Sequence, residues 1–308
     1  MRTGTLGSLE VSVIGLGCNN FGRNLDQRGS TDVVNAALDA GMTVFDTSDN
    51  YGEGRSESYL GAALGQRRGE AVIATKFGRP VAGVANSGGA AASYIRKAVE
   101  RSLAQIGTEY IDLYQLHLPD PNVPIGDTLA ELNALVEEGK IRELGCSNFD
   151  ADQLEDASRV ATDRSLRPFV SNQIEYSLLH RVPELDGSIE ACRRNDVAVL
   201  PYFPLASGML TGKARRGEPV EGRLQTDRYK DLLTASNFGT VENLRPFASE
   251  RRLSLAQVAL GWLLAQPSVP FVTAGATKPE QVMVNATAAE WIPAERDLAT
   301  LDAITWNG

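Results

Sequence analysis

Eight short runs of apolar, mostly β-branched residues recur along this chain, and longer stretches with helical periodicity separate them. The runs fall at 13–16, 43–45, 71–75, 111–116, 141–145, 169–174, 197–200 and 269–273. The helical stretches fall at 31–40, 56–64, 93–107, 127–138, 151–160, 183–195, 255–265 and 279–289. In 93–107, Ile95, Ala98, Val99, Ser102, Leu103 and Ile106 recur at helix spacing and predict one buried stripe. Strand–helix alternation predicts an α/β fold with parallel strands. Eight such units in 308 residues favour a single closed (β/α)8 TIM barrel spanning 1–308 over an open sheet. The segment 3–13 breaks the pattern: Gly7-Ser8 sits between two short runs and predicts a β-hairpin ahead of the first barrel strand. Two long connections stand out. One is 77–92, rich in Gly, Ala and Asn, expected as a mobile loop. The other is 206–240, which carries Lys213, Arg215 and Arg216.

Polar residues end the apolar runs in one phase. Asp46, Lys76, His117, Ser147-Asn148, Gln173 and Tyr202 each follow a run, with gaps of 30, 41, 31, 25 and 29 residues from Asp46 through Asn148 to Tyr202. In a barrel the C-terminal strand ends form one mouth, where active sites lie. Taken singly, each of these residues reads as the start of a loop; taken together they predict convergence.

Asp46, Tyr51, Lys76 and His117 suit proton transfer. A tyrosine hydroxyl titrates near 10, and a neighbouring ammonium favours the phenolate, so the expectation is a Tyr51 pKa lowered toward working pH. Asp46 would keep Lys76 charged and fixed, and a neutral His117 would orient a carbonyl. The competing reading is an ordinary Asp46–Lys76 ion pair beside a loop aromatic and a buried imidazole. Near the other end, Gly275-Ala276-Thr277-Lys278-Pro279-Glu280 opens the last strong helix. Thr277 and Glu280 have capping-box spacing, and Pro279 suits the first turn. Free N–H groups there, beside Lys278, would suit one phosphate such as the 2′-phosphate of NADP, although taken alone the segment reads better as a plain cap with a solvated lysine.

Composition removes several classes. The net charge of 30 − 39 = −9 argues against nucleic-acid binding. No apolar run is long enough to span a membrane, and Glu10 interrupts any N-terminal apolar region. Three unpaired cysteines, Cys18, Cys146 and Cys192, suggest reduced thiols in the cytoplasm, and His117 and His180 are too few for a histidine-rich metal centre. No metal site is expected. Gly15-Leu16-Gly17 starts a dinucleotide fingerprint, but Asn20 ends it.

These motifs together resemble the aldo-keto reductase superfamily over nearly the whole chain. The segment from Phe45 through Asp46 and Tyr51 to Gly52, with Ser56-Glu57 and Leu60-Gly61, resembles that family's Asp/Tyr segment as bacterial members carry it. Ala74-Thr75-Lys76 resembles its lysine strand, and Ile111 to His117 its histidine strand. Gly145 to Phe149, Asn172 to Tyr176, Tyr202 to Leu205, Gly208 to Lys213 and Gly275 to Asn285 follow in family order. The resemblance implies a TIM barrel that binds NADPH, or NAD, without a Rossmann fold and reduces an aldehyde or ketone. It implies Tyr51 as proton donor, supported by Asp46 and Lys76, with His117 orienting the carbonyl. Ser147, Asn148 and Gln173 would hold the nicotinamide carboxamide, with Tyr202 stacked on its ring. Gly17, Asn19, Pro204, Leu205, Ser207, Gly208, Leu210 and Lys213 would line the middle of the cofactor. Gly275, Thr277, Lys278, Gln281 and Asn285 would grip the adenosine end. Phe21, with Tyr51 and His117, would line the substrate pocket. Gln281 stands where many members carry arginine, which weakens an NADP preference that Lys278 partly restores. The same resemblance admits a second role, an NADPH-binding regulatory subunit like the β-subunits of potassium channels. A barrel metallohydrolase is the remaining rival.

Overall fold

A computed structural model describes residues 1–220 and 222–306. The chain opens with an antiparallel hairpin, β1 (Thr3–Leu6) and β2 (Leu9–Ser12), turning at Gly7-Ser8 as expected. Eight parallel strands follow: β3 (Ile14–Gly17), β4 (Val44–Asp46), β5 (Val72–Phe77), β6 (Ile111–Leu116), β7 (Ile141–Ser147), β8 (Ser171–Glu175), β9 (Ala198–Tyr202) and β10 (Val272–Gly275). They lie in the order β10-β3-β4-β5-β6-β7-β8-β9. The Val199 amide donates to the Ser268 carbonyl at 2.7 Å, drawing β9 to the entry of β10 and bringing the sheet round into a (β/α)8 barrel.

The hairpin is the floor of that barrel. Leu6, Leu9 and Val11 pack with the inward residues Val44, Ala74, Leu113, Leu200 and Phe271 in one buried cluster. Each such side chain contributes about 1.5–3 kcal/mol relative to exposure, so the floor is held mainly by apolar burial. Ser8 adds a polar tie, its amide donating to Glu143 Oε1 at 2.7 Å. Closing the N-terminal end this way leaves the opposite end as the open one.

The helices α1 (Gln27–Asp39), α2 (Ser56–Leu64), α3 (Ala92–Ile106), α4 (Ile125–Glu137), α5 (Ala151–Asp163), α6 (Ser188–Arg194), α7 (Ala235–Glu250), α8 (Leu255–Leu264), α9 (Pro279–Ala286) and α10 (Glu295–Thr305) surround the strands. In α3 the buried residues are Ile95, Ala98, Val99, Ser102, Leu103 and Ile106, the stripe that the periodicity predicts. Side-chain caps fix several starts: Asp26 accepts from the Gly29 amide, and Asp150 with Gln153 and Ser254 with Gln257 form capping boxes.

Three expectations about elements need correction. The helical stretch 183–195 is a single turn of 3-10 helix, Val182–Glu184, followed by the short α6, because Gly187 breaks between them at φ 86°. The connection 206–240 ends earlier than expected, at the start of α7. Before that it is partly built of 3-10 turns, in which Leu224 and Tyr229 are buried, and Ala214 between the turns is buried too. Both α7 and α10 escaped the periodicity reading: α7 contains Gly239 and Pro246, and α10 is rich in charge. The 78–91 connection folds back on itself, with Gly89 N–H donating to Gly78 O and Ala90 N–H to Asp120 Oδ2.

Candidate active site at the barrel mouth

Strand geometry brings the polar strand ends together. Asp46 closes β4, Lys76 lies near the end of β5, and His117 follows β6. β4 pairs with β5 and β5 with β6, so the three side chains come from adjacent strands. Tyr51 arrives on the loop after β4, at the start of a 3-10 turn that includes Gly52 at φ 58°. A Cβ at position 52 would overlap the Phe21 carbonyl oxygen, so glycine lets this loop close against the loop after β3.

Lys76 has no accessible surface. Its Nζ donates to Asp46 Oδ1 at 2.8 Å and Oδ2 at 2.9 Å, and to the Thr47 carbonyl at 2.8 Å. It lies 5.1 Å from the centre of the Tyr51 ring. Burial alone would lower the lysine, but Asp46 and Tyr51 outweigh it, so Lys76 is held above its usual range and stays charged. The Tyr51 phenol contradicts the sequence expectation. Burial pushes it up most, the charge of Lys76 and its hydrogen bond oppose this only in part, and the charge of Asp46 adds to the rise. Tyr51 therefore keeps its proton. His117 is buried and driven down to about 2 by burial first and then by the charges of Lys76 and Arg79, so the imidazole is neutral. The Tyr51 and His117 rings meet edge to face at 5.9 Å. An undissociated phenol beside a neutral imidazole and a buried ammonium can donate one proton and leave its phenolate next to that ammonium.

The next strands extend the site. Gln173 Nε2 donates to Asp46 Oδ1 at 3.0 Å, tying β8 to the Asp46–Lys76 pair. Ser147 Oγ donates to the Gln173 carbonyl at 2.8 Å. Asn148, at φ 61°, donates from Nδ2 to the His117 carbonyl at 3.1 Å and accepts from Tyr202 Oη at 3.0 Å. Asp46, His117, Asn148, Gln173 and Tyr202 thus belong to one bonded network across five strands. Cys146 and Cys18 lie close by in sequence but are fully buried, which pushes both thiols well above their usual range and leaves them inert.

This mouth sits within a chain that matches the aldo/keto reductase family over residues 13–305. The chain belongs to that family. Among curated relatives, an aldo-keto reductase YhdN from Bacillus subtilis (strain 168) is 32% identical over 314 residues, covering 97% of this chain and 91% of its own. A probable voltage-gated potassium channel subunit beta from Oryza sativa subsp. japonica is 32% identical, covering 92% and 89%. An L-glyceraldehyde 3-phosphate reductase from Escherichia coli (strain K12) is 29% identical, covering 96% and 89%. This aldo/keto reductase is accordingly an oxidoreductase of carbonyl compounds, and its family uses a nicotinamide cofactor.

The residues at the rim fit such a cofactor. Gly17 and Gly275 are register partners at the ends of β3 and β10, with Asn19 on the loop beyond and Asn20 donating from Nδ2 to the Ala276 carbonyl at 3.2 Å. After β9, Phe203, Ala206 and Ser207 all take positive φ, at 53°, 45° and 55°. That strained turn leaves the buried Ser207 Oγ without a partner, and Asn285 Nδ2 is likewise buried and unpartnered on α9. Orphaned donors of this kind suit a bound polar ligand. Leu205 is partly buried, Gly208 faces open space, and Lys213 and Lys278 are exposed. Pro204 and Leu210 turn inward and are buried.

Two expectations fail here. Thr277 does not cap α9: Lys278 occupies the N-cap position with no side-chain cap bond. Gln281 Oε1 instead accepts from the Thr277 amide at 2.7 Å and from Thr277 Oγ1 at 3.2 Å, so its side chain folds back onto the helix entry. Glu280 has no part in that cap. Phe21 is the second. It has no accessible surface and packs in the main core, so its ring contributes nothing to a substrate wall. Its backbone causes this, since the Phe21 amide bonds back to the Cys18 carbonyl at 2.9 Å and turns the loop inward.

Neighbours of the tetrad on the Tyr51 loop went unremarked in the sequence reading. Asp49 pairs with Arg101 of α3 at 2.6 Å and is pushed up to about 7 by burial first and then by Glu57. Ser48 bonds to Asn50 and to His117. All three positions lie in the six-residue segment from Asp46 to Tyr51, so their nearness was available in the sequence; their inward direction was not.

Proposed function

We propose that this chain reduces an aldehyde or ketone to the alcohol with NADPH, and that Tyr51 is the general acid. The observation that carries this reading is the fully buried Lys76 ammonium, clamped by Asp46 and set 5.1 Å from the Tyr51 ring centre, which places a fixed positive charge beside a phenol that burial keeps protonated. A bound nicotinamide supplies the hydride. The chain's own residues do the rest. Ser147, Asn148 and Gln173 would hold the carboxamide, and Tyr202 would stack against the ring. Lys76 stabilises the phenolate left when Tyr51 gives its proton to the carbonyl oxygen. His117, kept neutral, orients the substrate without adding a charge. Positioned proton transfer of this kind contributes about 10²–10⁴-fold to rate.

Along the cofactor, Gly17, Asn19, Leu205, Ser207, Gly208 and Lys213 would line the pyrophosphate region, with the buried Pro204 and Leu210 behind them. Gly275, Thr277, Lys278, Gln281 and Asn285 would lie at the adenosine end. Preference for NADPH rests on Lys278 alone, because Gln281 is engaged with Thr277. The whole of 1–308 serves as one barrel domain, and three buried, unbridged cysteines support a cytoplasmic setting. No described helix is long and apolar enough to cross a membrane, and no cluster of metal ligands occurs among the described residues. NADPH oxidation against an aldehyde and ketone panel, with Tyr51→Phe beside the wild type, tests the proposal. Turnover that collapses in Tyr51→Phe supports it. Tight NADPH binding with no turnover on the panel points instead to the regulatory role.

A further inference from the structure

A second cation stands at the mouth without a counter-charge. Arg79 lies three residues beyond Lys76, on the connection that leaves β5. Two contacts fix where that connection runs. On one side the His117 amide donates to the Phe77 carbonyl at 2.8 Å. On the other, Gly54 ends the turn that Tyr51 begins, and an added Cβ there would sit 3.4 Å from Val81 Cγ1. Arg79, midway between Phe77 and Val81, therefore stands between the His117 and Tyr51 edges of the site. Its charge reaches both groups: it lowers the His117 imidazole and opposes the rise of the Tyr51 phenol. The returning arm of the loop backs it, since a Cβ at Gly88 would lie 3.5 Å from the Arg79 carbonyl carbon. The side chain is partly buried. No carboxylate among the described residues pairs with it, and its Nε–H is buried without a hydrogen-bond partner. A solvated arginine would keep that donor in water, and an unmade buried donor is costly. Carboxylates are not scarce, with 39 Asp and Glu in the chain, yet none occurs in residues 77–92. We propose that Arg79 anchors an oxyanion borne by the carbonyl substrate, a carboxylate or a phosphate, and so selects anionic aldehydes or ketones.

This deepens the reductase reading and rests on it. The guanidinium presents a planar fork of donors that matches a carboxylate or phosphate with two parallel hydrogen bonds. The oxyanion would satisfy the orphaned Nε–H and supply the missing counter-charge, while Tyr51 and His117 meet the carbonyl oxygen. The cofactor's own phosphates do not compete for Arg79 in that reading. The residues assigned to them follow β3, β9 and β10, and β5 lies away from those strands in the barrel order. Arg79 takes no part in the proton transfer; it sets which substrates are held.

Two matched pairs of substrates test this with the full chain and NADPH: succinic semialdehyde against its methyl ester, and glycolaldehyde phosphate against glycolaldehyde. In the wild type at least one charged member should exceed its neutral partner by about 10–100-fold in kcat/KM, as a charge-assisted contact gives. The pair that shows the difference names the group as carboxylate or phosphate. Arg79→Met should abolish the preference, mainly by raising KM for the charged member, and should retain turnover of the neutral one. Arg79→Lys keeps the charge without the fork and should restore part of the preference. Equal values within both pairs in the wild type overturn the proposal, whatever the variants do. So does a preference that survives Arg79→Met, or an equal loss for both members in a variant whose circular dichroism is native. Calorimetric titration with the alcohols corresponding to the two charged members, in the presence of NADP+, needs no turnover. If none of the four aldehydes is reduced, the reductase reading falls and the titration decides. Anion binding that is lost in Arg79→Met then upholds the anchor, and no binding of either anion overturns it.

Discussion

Replacing Lys76 by methionine removes the ammonium from the centre of the site while nearly keeping its volume. Asp46 would then lose both of its short bonds to Nζ, at 2.8 and 2.9 Å, and keep only the Gln173 amide at 3.0 Å. One neutral hydrogen bond contributes about 0.5–1.5 kcal/mol net. Leaving a buried charge without its partner costs about 3–5 kcal/mol. The bond to Gln173 therefore cannot compensate, and Lys76→Met should lose about 3–4 kcal/mol of unfolding free energy at pH 8. The sign of its pH dependence follows. In the wild type the lysine is held above its ordinary 10.5, so its contribution is complete below that value and is lost only as the pH rises beyond it. Urea titrations of both chains at pH 8 measure this loss directly. Asp46→Asn combined with Lys76→Met should recover much of the loss. A deficit below about 1 kcal/mol would refute the claim that the pair is buried and mutually dependent.

Further outcomes follow from the same geometry. His117, driven down to about 2 from an unfolded value near 6.5, contributes stability that is complete above pH 6.5 and declines as the pH falls below it. His117→Gln should flatten the stability curve between pH 6 and pH 4 by up to about 1.4 kcal/mol per unit, read from thermal or urea unfolding. Lys278→Ala should weaken NADPH binding by roughly 0.5–1.5 kcal/mol more than NADH binding, by fluorescence titration, as expected for loss of a partly solvated charge-assisted contact; equal losses would rule out a 2′-phosphate contact. Gly52→Ala would drive a Cβ into the Phe21 carbonyl. It should cost roughly 1–3 kcal/mol, and it should lower kcat because Tyr51 moves with its neighbour.

The barrel was legible because its signal is repetitive. Eight apolar runs with polar ends at near-regular spacing leave few ways to arrange the chain, and the α3 stripe reads off directly as its buried face. Convergence of Asp46, Lys76 and His117 followed from strand phase alone. What stayed hidden depended on side-chain direction or on competition between terms. Phe21 reads as a mouth aromatic, but one backbone bond to Cys18 turns it into the core. Thr277 and Glu280 have capping spacing, yet Gln281 reaches the Thr277 donors first. The Tyr51 expectation counted Asp46 only as support for Lys76, whereas its charge raises the phenol, and it left out burial, the largest effect. α7 was masked by Pro246 and Gly239, which tertiary packing tolerates although local propensity does not.

The central claim is that Tyr51 delivers the proton. Steady-state NADPH oxidation with a reducible aldehyde or ketone, comparing wild type with Tyr51→Phe at saturating cofactor, tests it most directly. The account predicts a fall in kcat of about 10²–10⁴-fold with cofactor binding unchanged. Turnover that survives in Tyr51→Phe would contradict it and place the acid elsewhere.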